Sequence, residues 1–161
     1  MRRKRNSGPV EQIDTGLFVL NLTSDERSTL SGFVDQLDDV ISAPHDDPRV
    51  RRLFPTAYHD NPDHDAEYQG FMRDELAQSR RASIDTVRNA LMSDEPMTES
   101  QLYSFMTVLN SLRLVLGTLL DVDEVDDLDL IPEDSPAFGQ AQLYEYLGWL
   151  LEWTVSALSG E

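Results

Sequence analysis

Residues 98–120 read TESQLYSFMTVLNSLRLVLGTLL, and the fold class turns on this stretch. Thr98 with Gln101 three residues on is a capping box, in which each side chain satisfies a backbone N–H that the first helical turn leaves free. Behind it Leu102, Phe105, Met106, Leu109, Leu112, Leu116 and Leu120 recur at helical spacing. The stretch predicts a helix from Thr98 to Leu120. Counted at 100° per residue from Leu102, Met106 falls at about 40°, Leu109 at about 340° and Arg113 at about 20°, on the centre of that apolar face. An unpaired buried charge costs several kcal/mol, so Arg113 is expected to meet acidic or carbonyl groups, with Glu75, Glu67 and Asp60 as candidates. Asn110 and Gly117 lie on the same side and extend the expectation to a buried polar seam. Two readings of Arg113 stand: an ion pair that sets helix register, and an arginine that binds a small anion or serves an enzyme.

Downstream, the acidic stretch Asp121 to Asp134 reads as a loop, and Ser135-Pro136 opens a last helix that reaches about Leu158 before Gly160. Its apolar arc, widened by Tyr146, Trp149 and Trp153, spans about 240°. One neighbouring helix does not need that much. Either this helix is surrounded by the others, or Tyr146, Trp149 and Trp153 form an interface to a partner protein or a homodimer.

Upstream, Tyr68, Phe71, Met72, Leu76, Ile84, Val87 and Leu91 predict a long helix within Asp65 to Asp94, where Ser79, Ala82 and Ser83 suggest a close helix approach. Asp47-Pro48 caps a short turn, Arg49 to Phe54, which Pro55 ends. Thr23 to Glu26 is a second capping box, ahead of a helix from Ser24 to Ser42. Val10 to Ile13 and Leu17 to Leu22, joined by Asp14-Thr15-Gly16, read as a β-hairpin. The expected fold is mostly α: a single-domain bundle of about four main helices over residues 9–161, with a small N-terminal β-hairpin and a basic disordered tail at residues 1–8.

The chemistry is limited by what is missing. The chain has no cysteine, so it carries no thiolate nucleophile or thiolate metal site. His59, Asp60, Asp63, His64 and Asp65 match no metal-ligand spacing and read as a turn. Asp121 to Asp127 opens like a calcium loop, but Asp126 stands where glycine is required and Pro132 where the bidentate glutamate belongs. No phosphate-binding glycine loop, dinucleotide fingerprint or nucleophile elbow is present. No enzyme activity, cofactor or metal is expected.

With 30 acidic and 13 basic residues among 161, the formal charge is −17, which argues against nucleic acid and anionic membranes as partners. The exception is the tail, where Arg2, Arg3, Lys4 and Arg5 could form an arm on DNA together with the Arg49 to Arg52 turn. Arg73, Arg80 and Arg88 share one side of the long helix and read as a solvated or ion-paired face. The longest run without charge, Ser100 to Leu112, is too short to span a membrane, and the first residues lack the apolar segment of a secretory signal. The expected location is the cytoplasm.

Two strings are more specific than composition. DPRVRRLFPTAY at residues 47–58, followed by Glu67 and Tyr68, and LNSLRLVLGT at residues 109–118 resemble the actinobacterial oxidative-stress regulator AosR family, as does LYEYLGWL at residues 143–150. That resemblance implies an intracellular regulator acting through protein contacts, including contacts to transcription machinery such as an alternative sigma factor. Its motif positions fall here on Asp47, Pro48, Arg52, Leu53, Pro55, Ala57, Tyr58, Glu67, Asn110, Arg113 and Gly117. A thiol-based sensing mechanism of the redox members cannot operate in a chain without cysteine.

Overall fold

A computed structural model describes residues 8–41, 62–120, 134 and 138–160, with the side chains of 62–74, 76, 118–120 and 138 left out. The chain opens with strands β1 (Val10–Asp14) and β2 (Leu17–Leu20), followed by helices α1 (Ser24–Ile41) and α2 (Pro62–Leu91). A two-residue strand β3 (Met97–Thr98) leads directly into α3 (Glu99–Leu120), and α4 (Phe138–Ser159) follows. This is a mostly helical protein with a small antiparallel sheet in the order β1-β2-β3.

The hairpin forms where the turn residues allow it. Gly16 takes φ +70°, and the Thr15 backbone N–H donates to Asp14 Oδ1 at 2.7 Å, a local bond that favours the turn. Val10 pairs with Leu20 and Gln12 with Phe18, then the register shifts before Asp14 pairs with Leu17. Ile13 is the extra residue of this bulge and is half exposed. The third strand was not anticipated: Met97 and Thr98 pair with Phe18 and Leu17, too short a segment to leave a pattern.

Both capping boxes form. Glu26 N donates to Thr23 Oγ1 at 3.1 Å and Thr23 N to Glu26 Oε1 at 3.3 Å; Gln101 N donates to Thr98 Oγ1 at 3.2 Å and Thr98 N to Gln101 Oε1 at 2.9 Å. α2 starts at Pro62, inside the segment read as a turn, because proline fits the first helical position where no N–H is needed. It ends at Leu91 rather than Asp94. Ser79 and Ala82 are exposed and Ser83 half-buried, so they do not mark a close approach; on this part of α2 it is Ala77, Ile84 and Val87 that enter the core.

α3 is the centre of the molecule and packs on α4, α2 and α1 and against β2 and β3. Leu102, Phe105, Val108 and Leu109 are at most 2% exposed and join Val10, Phe18, Val34, Leu147 and Leu150 in one continuous apolar cluster. Two hydroxyls lie inside it without an orphaned donor: Ser111 Oγ bonds to Thr107 O at 3.0 Å and Thr154 Oγ1 to Leu150 O at 2.8 Å.

Candidate functional site

Arg113 does not occupy the centre of the buried face. Counted from Leu102, the buried residues Val108, Leu112 and Phe105 fall at about 240°, 280° and 300°, which puts Arg113 on the margin, half-buried. Its guanidinium lies over the Tyr144 ring, 4.7 Å from the centroid, a cation–π placement that suits a partly desolvated arginine. Gly148 makes room for it: a Cβ there would come within 3.3 Å of Nη2. Nε is buried without a hydrogen-bond partner. Glu75 is exposed, Asn110 is exposed, and Gly117 is buried. Asn110 therefore does not belong to a buried seam. The side chain of Glu67 and the whole of Asp60 lie outside the described residues.

The three aromatic residues of α4 divide their tasks. Tyr146 donates its hydroxyl to Glu26 Oε2 at 2.7 Å, tying the middle of α4 to the first turn of α1. Burial and then the carboxylate neighbour push the Tyr146 phenol up, while the bond from Tyr146 holds the Glu26 carboxyl below its ordinary value. Trp153 is half-buried and lies against Gly8, where a Cβ would collide with the indole ring. The start of the described chain is thus held on α4, with Asn21 Nδ2 donating to Gly8 O at 2.9 Å, and residue 8 is not part of a free tail. Trp149 is different. It is 46% exposed and leans on Tyr146 with ring centroids 5.9 Å apart, and Val155, 47% exposed, also faces outward. The broad apolar arc of α4 therefore serves the core and the N-terminal strand, and leaves Trp149 and Val155 over.

A second feature lies on another side of α4. α1 contributes Phe33, Leu37 and Val40, and α3 contributes Leu112, Val115 and Leu116, to an apolar cavity of about 440 Å³. Leu143 and Gly139 of α4 border it, and its polar lining is Gln36, Asp39 and Gln140. The lining residues described include no basic side chain.

Two arginines do much of the tying: Arg27, which the sequence reading did not single out, and Arg88, which it placed on a solvated or ion-paired face. Arg27 Nη1 lies 3.2 Å from each of the carbonyls of Ala90, Leu91 and Ser93, and its Nη2 donates to Leu20 O at 2.8 Å. Nε reaches Leu22 O at 3.4 Å. A cation thus closes the end of α2, where the last carbonyls have no helical partner. Arg88 joins α2 to α1 through Asp35 at 2.8 Å and Asp38 at 3.2 Å, with Asp85 at 3.3 Å. These Asp neighbours hold its guanidinium firmly charged, first through the bond to Asp35. Nothing local flags the role of Arg27, which bonds to carbonyls more than sixty residues away.

Asp47, Pro48, Arg52, Pro55 and Tyr58 of the motif turn, Arg2 to Arg5, and residues 121–133 of the acidic stretch Asp121 to Asp134 lie outside the described residues. Among the described residues no group of three His, Asp or Glu side chains is placed to hold a metal ion, and no helix is long and apolar enough to cross a membrane. A family profile described as "Domain of unknown function (DUF2017)" matches residues 3–158. No curated protein and no solved structure matches the chain.

Proposed function

The chain belongs to the DUF2017 family of domains of unknown function, and we propose that this member is a non-enzymatic cytoplasmic regulatory protein that works by binding another protein. The observation that carries the reading is Trp149, an indole 46% exposed on a helix whose other described aromatic side chains, Tyr144, Tyr146 and Trp153, are half-buried. Exposed tryptophan is costly to leave in water and is enriched among the residues that dominate protein interfaces. A net charge of −17 favours a basic or neutral partner, because like charges repel over roughly a Debye length.

The resemblance of residues 47–58 and 109–118 to the AosR family adds the finer part of the proposal: the partner belongs to the transcription machinery, an alternative sigma factor being the first choice, and the setting is a stress response. Direct sensing through a thiol is not part of it.

The test uses the purified full chain and Trp149→Gln, each mixed with purified alternative sigma factors free and bound to RNA polymerase, and reads complex formation by analytical ultracentrifugation. A complex formed by the natural chain and lost with Trp149→Gln, at unchanged helical content, supports the reading. Equal complex formation by both proteins refutes the role of Trp149. A chain that associates only with itself, and does so through Trp149, replaces the partner with a homodimer.

A further inference from the structure

We propose that the cavity between α1, α3 and α4 is the docking site for a basic amphipathic helix of a partner protein. The proposal rests on the protein-binding reading above but on none of its residues: by helical count Trp149 lies about 120° around α4 from Leu143.

The size of the cavity comes first. A cavity of roughly 150 Å³ accepts a benzene ring, so about 440 Å³ accepts two or three apolar side chains rather than one. A helix supplies such a set on one face at intervals of three and four residues. The walls come next. Leu37, Val40, Leu112 and Val115 are each under 9% exposed, so among the described residues the cavity walls are built on packed helices. Charge then selects the occupant. Asp39 borders the apolar floor with Gln36 and Gln140, whereas Asp35 and Asp38 of the same helix are engaged by Arg88, so Asp39 is the carboxylate at the cavity. A lysine or arginine beside the apolar side chains of the incoming helix would meet Asp39, whereas an acidic helix would meet only repulsion.

Two substitutions separate docking in the cavity from general attraction to an acidic protein. Gly139 is exposed at the edge of the cavity, and a Cβ built there meets no atom within 4 Å. Gly139→Leu therefore meets no clash at its Cβ and adds an apolar side chain at the edge of the cavity. Asp39→Lys reverses the exposed charge without touching the core.

The probe is a fluorescein-labelled Leu/Lys peptide patterned as an amphipathic helix, against the same composition in an order with no apolar face. Anisotropy titrations with the full-length chain at physiological salt are expected to give saturable binding of the patterned peptide. Gly139→Leu and Asp39→Lys are each expected to weaken it about tenfold, with Trp149→Gln unchanged. Circular dichroism confirms that each variant keeps its helices. Equal binding of the two peptides, or full binding to Gly139→Leu, overturns the proposal and leaves only charge attraction. Absence of binding to the natural chain also overturns it, whether the cavity is filled by other residues of the same chain or takes no helix. Loss of binding with Trp149→Gln alone would move the docking surface to the other side of α4.

Discussion

Removing the guanidinium of Arg27 should cost this protein a large part of its stability. Arg27 faces the carbonyls of Leu20, Leu22, Ala90, Leu91 and Ser93, but these are not five full bonds. Nη1 has two hydrogens for three acceptors at 3.2 Å, and the 3.4 Å contact from Nε is long, so about three effective hydrogen bonds remain. At roughly 0.5–1.5 kcal/mol net for each, Arg27→Ala should lose about 2–4 kcal/mol out of a total stability on the order of 5–15 kcal/mol. Water can reach part of this half-buried group and should keep the loss toward the lower end. Arg27→Lys keeps the charge at the end of α2 but reaches from a single nitrogen, so it should recover roughly half. The assay is equilibrium urea unfolding by circular dichroism, comparing midpoints at unchanged slope. Amide exchange at Met92 and Ser93 should accelerate in both variants, because their carbonyl neighbours at the end of α2 are no longer held. A loss below about 0.5 kcal/mol for Arg27→Ala, or full recovery with lysine, would refute the reasoning and reduce Arg27 to a solvated side chain.

Tyr146→Phe removes the 2.7 Å bond to Glu26 and should cost about 1 kcal/mol at neutral pH, read as a drop of roughly 2–4 °C in melting temperature. Because the folded state holds the Glu26 carboxyl below the value near 4.5 of an unfolded glutamate, its contribution is present above that pH and disappears as the pH falls through the lowered value, so the two proteins should converge in acid. At the other end the phenol is raised in the folded state from 10, so the natural chain should begin to lose this contribution above about pH 10. Arg88→Ala breaks the contacts to Asp35 and Asp38, whose side chains are 63% and 32% exposed; the loss should be only about 0.5–1 kcal/mol in urea unfolding and should shrink further in high salt.

The local parts of this fold were legible because their causes are local. Thr23 with Glu26 and Thr98 with Gln101 are capping boxes whose partners lie three residues apart, so the helix starts could be read directly, and Gly16 marked the hairpin turn by the φ it alone adopts without strain. The period of Leu102, Phe105 and Leu109 announced a buried face, yet the same period misplaced Arg113. A wheel centred on the leucines takes every apolar residue as equally buried, whereas packing against α4 and α2 moved the buried arc toward Leu112 and Val108 and left Arg113 on Tyr144 at the edge.

By itself, then, the sequence determined the helical class, the caps, the hairpin turn and the absence of thiol chemistry, all of which depend on residue type or on neighbours within about one turn. Only the tertiary structure decided which side chains became partners across the chain: Arg27 with the end of α2, Tyr146 with Glu26, and Trp153 with Gly8. It also decided that Trp149 and Val155 stay in water while Leu147 and Leu150 do not. The physical reason is that burial and long-range pairing depend on how helices are set against one another, and one helix's periodicity records its apolar side without recording what will cover it.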